Sequence, residues 1–137
     1  MAQSQYVTEE MVRDHLADHA GEFGCTFSAE QIDAALEYAA RRYNSVPPIM
    51  CAVTPDQLPA TTTVFLDGAA AHLCRVRLRM LASQDITFSA GGVNTNTVAK
   101  EIEHYKRLEA MYMSDFLEQA KTIKVTRAIR SVGGKIG

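Results

Sequence analysis

All four prolines of this 137-residue chain, Pro47, Pro48, Pro55 and Pro59, fall in one window of thirteen residues. Proline fixes φ and has no N–H to donate, so the window is an irregular connection between two tracts free to form regular elements. Val46, Ile49, Met50, Val53 and Leu58 make it too apolar for a free linker. It is expected to wrap across a core shared by both tracts. The reading is therefore one helical domain over 1–120, with the proline-rich connection at 45–60, followed by a separate tail at 121–137. A chain of this length buries roughly two thirds of its unfolded surface and needs neither metal nor disulfide to hold a core. Cys25, Cys51 and Cys74, odd in number and widely spaced, read as small buried hydrophobes.

Helical periodicity marks both tracts. The first helix is predicted to begin after Thr8, whose hydroxyl caps while Glu9 and Glu10 complement the positive helix start. Met11, Val12 and Leu16 form its apolar side, and it ends near Gly21. Ser28 followed by Gln31 is a capping box, with Phe27 and Ile32 at the two positions of a hydrophobic staple. The helix it starts carries Ile32, Ala35, Leu36, Ala39 and Tyr43 at three- and four-residue spacing, and Arg41 and Arg42 near its negative end.

The third pattern runs from about Thr63 to Ser83. Phe65, Leu66, Ala69, Leu73, Val76 and Met80 share one side, and Ala70, Ala71, Cys74, Leu78 and Leu81 widen it, so this reads as the central helix. Gly68 costs about 1 kcal/mol against alanine in a helix and implies a close neighbour. Arg75 and Arg79, four residues apart, repel unless something acidic lies opposite. Arg75, Arg77 and Arg79 are therefore candidate subunit or channel contacts, or else snorkel into solvent. The fourth pattern, about Thr97 to Thr122, is striped by Val98, Ile102, Tyr105, Leu108, Tyr112, Phe116, Ala120 and Ile123. Met113 and Leu117 extend that surface, either for a subunit interface or as core under the proline-rich segment. Between these helices, Gln84 to Asn96 alternates Ile86 and Phe88 with polar neighbours, turns at Gly91-Gly92 and continues with Val93. That is the pattern of a projecting β-hairpin.

Charge is polarised along the chain. Residues 1–60 hold nine acidic and three basic side chains, whereas 119–137 hold five basic and no acidic ones. In that tail Lys121, Lys124, Arg127, Arg130 and Lys135 are interleaved with Ile123, Val125, Ile129, Val132 and Ile136, which is too apolar for a plain solvated arm. It suits pairing as a strand or lying in a partner's groove. The fold class expected from all this is all-α: a small bundle of about four helices with a projecting β-hairpin loop and an extended basic C-terminal tail.

Catalytic chemistry is not legible. Ala90-Gly91-Gly92 lacks the Lys-Ser/Thr and the strand-loop-helix context of a phosphate loop. His15 and His19 are four residues apart, but no third ligand is identifiable, so they read as surface histidines among acids. His72 and His104 stand alone. No catalytic residue, metal ligand or cofactor is assigned, and no enzyme is expected. No apolar stretch approaches the roughly 20 residues a bilayer demands, and Met1 to Tyr6 lacks a signal-peptide layout, so the expectation is an intracellular product without membrane contact. A sequence pI near 6.1 argues against site-specific DNA reading. The five tail charges leave room for non-specific backbone contact or, less favoured, a small DNA-binding regulator.

Taken together, three segments resemble a group of small tailed-bacteriophage virion proteins. These are the capped second helix ending in Ala-Ala-Arg-Arg-Tyr-Asn before Pro47-Pro48, the Gly68-Ala69-Ala70-Ala71-His72-Leu73 helix, and the Ile86 to Val93 segment. With the long final helix and basic tail, the layout is similar to that of head-to-tail adaptor (connector) proteins, over roughly residues 28–130. The resemblance implies a non-enzymatic subunit of the virion neck, made in the host cytoplasm and assembling as a dodecameric ring. Such a ring sits under the portal protein, extends the DNA channel with only non-specific DNA contact, and offers a platform to the next neck or tail protein. The segment matching the family's portal-docking tail is Lys121 to Gly137. A baseplate or other tail-structure subunit would share most of these features.

Overall fold

The computed structural model describes residues 6–20, 26–48, 52–91 and 96–136. Helix α1, Glu9–Ala20, starts where Thr8 Oγ1 accepts from the Met11 N–H at 3.3 Å. Helix α2, Ala29–Ser45, starts on the complete capping box: Ser28 Oγ accepts from the Gln31 N–H at 3.1 Å, and Gln31 Oε1 accepts from the Ser28 N–H at 2.9 Å. Phe27 and Ile32 are both buried beside it, and every residue expected on its apolar face is buried. The described part of the proline-rich connection is irregular apart from a 3-10 turn at Pro55–Gln57, and the bond between Pro47 and Pro48 is cis. Asn44 pins it: Nδ2 donates to Val53 O at 3.0 Å and Oδ1 accepts from the Val53 N–H at 2.8 Å. Leu58 is buried, and its carbonyl accepts from the Val7 N–H at 2.7 Å, so the connection also ties down the chain leading into α1.

Helices α3, Val64–Gly91, and α4, Asn96–Ile136, form an antiparallel hairpin with the most extensive packing in the molecule, and α2 lies across α3. At their crossing, a Cβ on Gly68 would sit 3.0 Å from Phe116 Cδ2 and 3.1 Å from Ala39 Cβ. The small residue there lets three helices approach. The core gathers Val12 and Leu16 from α1, Ile32 to Tyr43 from α2, Phe65 to Leu81 from α3, and Tyr105, Leu108, Tyr112, Phe116 and Ala120 from α4.

The molecule is all-α, with four α-helices and no strand among the described residues. Three expectations need correction. The β-hairpin is not supported: residues 84–91, including Ile86 and Phe88, continue α3 as helical backbone, while Val93 lies outside the described residues. Two alternating apolar residues are too short a signal to separate strand from helix. Extending an existing helix avoids the nucleation cost, whereas a lone two-stranded hairpin is marginal in water. Nor is the tail extended. Residues 121–136 are the last turns of α4, because Val125, Ile129, Val132 and Ile136 recur at four, three and four residues, a helical period. Finally, Met80 is 44% exposed and not core, because the buried line of α3 runs through Phe65, Ala69, Leu73, Cys74 and Leu81.

Candidate functional site

Asp67 sits in the first turn of α3 and is buried, a position an ionised carboxylate holds only when its oxygens are satisfied. His15 Nε2 of α1 donates to Oδ1 at 2.8 Å and Gln119 Nε2 of α4 donates to Oδ2 at 2.6 Å. Thr63 Oγ1 lies within 3.3 Å of Oδ2 and 3.2 Å of Gln119 Oε1. The Tyr112 hydroxyl donates to the His15 carbonyl at 3.4 Å. Three helices are thereby tied at one polar point inside the bundle. His15 is therefore half-buried and engaged, not the surface histidine expected from its acidic neighbours. No group of three His, Cys, Asp or Glu able to hold a metal occurs among the described residues.

The central arginines find their acids on α4. Arg75 pairs with Glu109 at 3.1 Å and lies 5.8 Å from the centroid of the Tyr38 ring; Arg77 pairs with Glu101 at 2.8 Å. Arg79 is exposed. Between them His72 stacks on Tyr38 with centroids 4.8 Å apart, and its buried Nδ1 meets no hydrogen-bond partner among the described residues. Burial, then the charges of Arg75 and Arg79, hold its imidazole below the ordinary histidine value.

The tail residues divide sharply. Lys124 is only 1% exposed. Its Nζ donates to Tyr43 O and Val46 O, each at 2.6 Å, and lies 4.6 Å from the centroid of the Tyr43 ring. A cation at the end of α2 gives Val46 O a donor, adds a second to Tyr43 O, which already accepts from the Val46 N–H at 3.1 Å, and complements the helix dipole. The sequence reading grouped Lys124 with the docking surface; it is instead the latch that holds α4 to the end of α2. Ile123, Met113 and Leu117 are partly buried and pack against the core. Val125 and Ile129, by contrast, are 41% and 66% exposed, and Lys121 and Arg127 are exposed with them. Arg130, Val132, Lys135 and Ile136 fall on the helical backbone of α4.

Helical register explains the division. On α4, positions 105, 108, 112, 116, 120 and 124 form the inward line, all buried. Positions 107, 111, 114, 118 and 121 form the opposite, exposed line, and it reads Arg, Met, Ser, Glu, Lys. At about 100° per residue, 125, 129, 132 and 136 continue this outward line, so it turns from mainly polar to wholly apolar at Val125. The contact of Thr63 with Gln119 marks where α3 begins opposite α4. Beyond it α4 runs a further 17 residues to Ile136, roughly 25 Å at the helical rise. Its last turns, past the Lys124 latch, form an arm.

Two clefts flank the root of this arm. One, of about 70 Å³, is lined by Tyr43, Val53, Phe65, Ile123 and Arg127 among others. The other, of about 240 Å³, lies between Thr62 and the Glu118–Ile123 stretch of α4. Both fall below the range of small-molecule sites. No helix of the described residues is long and apolar enough to cross a membrane. Comparison with known proteins gives no match among family models, curated proteins or solved structures.

The Lys124 latch was findable from spacing, since 116, 120 and 124 share one face. The Asp67 hub carried a weaker signal, a lone acid within an otherwise apolar helical turn. Nothing in the chain announces that His15, 52 residues away, is its partner.

Proposed function

We propose that this chain is a structural subunit of a tailed-bacteriophage neck, a head-to-tail adaptor that assembles as a ring under the portal protein. In this reading it extends the DNA channel, touches DNA only non-specifically and offers a platform to the next neck or tail protein. The observation that carries the reading is the arm: a helix that outruns its own bundle, bears basic side chains and no acidic ones, and turns an apolar line away from the body. Such an element suits a part that is built into an assembly. One arm buries few side chains and binds weakly, but many arms on a closed ring bind together with high avidity. Opposite charge at the two ends of the chain favours stacking of unlike surfaces, and head-to-tail contacts that close make rings.

Copy number in purified virions, measured against the portal protein by quantitative mass spectrometry, tests the reading. A one-to-one ratio is expected. A clearly different ratio moves the protein to the tail or baseplate, and absence from the particle ends the virion reading. Deleting Ser131 to Gly137 is expected to leave the bundle folded and to weaken portal attachment; normal docking of that variant rejects the arm as the portal contact.

A further inference from the structure

The arm is helical to Ile136, so its docking face is set before any partner arrives. Val125, Ile129, Val132 and Ile136 occupy one line at four-, three- and four-residue spacing, the anchor pattern by which an amphipathic helix enters a groove. The two members nearest the body, Val125 and Ile129, are also two of the large apolar side chains most open to solvent. This line lies opposite the inward line that ends at Lys124, so the chain's own core is on the wrong side to cover it.

The charge pattern limits the occupant. From Gln119 to Gly137 there are five basic residues and no acidic one, so arms packed against each other would gather like charge. The exposed carboxylates at the other end of the chain, Glu10, Asp14, Glu30 and Asp33, are set among exposed alanines such as Ala17 and Ala34. No large apolar side chain is exposed on α1 or α2 among the described residues, so that surface has the charge but not the apolar floor. A bilayer fits poorly as well. Helices that lie in the interface bury a broad face rich in Leu, Phe or Trp, and residues 119–137 contain none of these. Phosphate binding would use the cations but leave the apolar line unexplained.

We infer that the arm beyond Lys124 is a preformed recognition helix that seats the Val125, Ile129, Val132, Ile136 line in an apolar, acid-rimmed groove of a different protein. The inference rests on the reading of 121–137 as a docking segment and fixes which face docks and what receives it.

The test places a photo-crosslinking residue in the full-length chain at position 129, on the line, or at position 127, exposed and about 160° away around the helix. Purified particles, or producing cells if the protein is absent from particles, are irradiated and the linked peptides sequenced. Crosslinks from 129 and not 127, into an Asp- and Glu-rich segment of another protein, are expected. Ile129→Asp in the same chain should cut co-purification of that protein at least ~10-fold, with the helical circular dichroism unchanged. Crosslinks only to other copies of this chain, equal yield from both positions, or none from either would overturn the inference. So would sedimentation with 3:1 phosphatidylcholine–phosphatidylserine vesicles that Ile129→Asp abolishes. Face-specific linkage to a protein outside the virion keeps the inference and removes the adaptor reading. Linkage without face preference inside an intact virion does the reverse.

Discussion

Residues 105–124 and 125–136 belong to one continuous helix, yet their relations to the rest of the molecule are opposite. One face of the first stretch is covered by the bundle, and Lys124, on that face, is drawn inward to two carbonyls. In the second, Val125 and Ile129 stand largely in solvent. Both mix β-branched and basic residues, and composition separates them only in that the acids and aromatics are confined to the first. What separates them is where α3 begins and α2 ends. Side chains on the covered stretch should therefore govern stability, and side chains on the arm should govern association.

The largest expected break of this contrast is Phe116→Ala. Phe116 is wholly buried against Gly68, so its loss should cost about 3–5 kcal/mol and lower Tm by at least ~10 °C in thermal denaturation. Asp67→Ala strips the shared acceptor from His15 and Gln119 and should cost about 2–3 kcal/mol by urea titration. Retention of full stability would show the hub to be dispensable. Lys124→Met takes the lysine donor from Val46 O and from Tyr43 O, which keeps the Val46 N–H, and retains an apolar stem in its place, an expected loss of about 1–2 kcal/mol. Lys121→Met, one turn earlier on the outward line, should cost almost nothing; equal losses would erase the distinction between latch and arm.

His72 gives a smaller, pH-dependent effect. Its folded-state pKa lies below the ordinary 6.5, so the unfolded chain takes up the proton first as the solution is acidified. Stability is complete above about pH 6.5, declines as pH falls below it, and levels off once the folded-state value has been passed. In His72→Gln the decline between pH 7.5 and pH 5 should be shallower than in the parent. The smallest effect on the fold is expected from Ile129→Ser, within about 0.5 kcal/mol, since the residue is already mostly exposed. A loss comparable to that of Lys124→Met would place the arm within the folded core and break the comparison.

Much of the fold was legible because its signals are local. Thr8 and Ser28 name their helix starts by hydroxyl chemistry, the periodic residues of α2 name its buried face, and Gly68 marks a close approach that Phe116 and Ala39 supply. The errors came where local signals are short or ambiguous. Ile86 and Phe88 alternate like a strand but continue a helix already nucleated twenty residues earlier. The tail shows alternation at Ile123 and Val125 and helical spacing from Val125 onward, and the helix prevails because α4 is already formed when it reaches them. For the candidate site, the basic, apolar character of residues 121–136 was readable, but Lys124 was placed on the wrong side of it.

By itself, the sequence determined the number of helices, where the first two begin, the irregular path between α2 and α3, and the polarity of charge from end to end. Capping, periodicity and proline act over a few residues, so they leave their mark in the chain. The tertiary structure alone decided which polar groups are paired and which apolar ones are left bare. His15 meets Asp67, Arg75 meets Glu109, and Lys124 meets the end of α2 across separations of 52, 34 and 81 residues. Such partners are set by the geometry of helices packing against one another. That same geometry, by ending α2 and beginning α3 where it does, turns the last turns of an ordinary helix into an exposed arm.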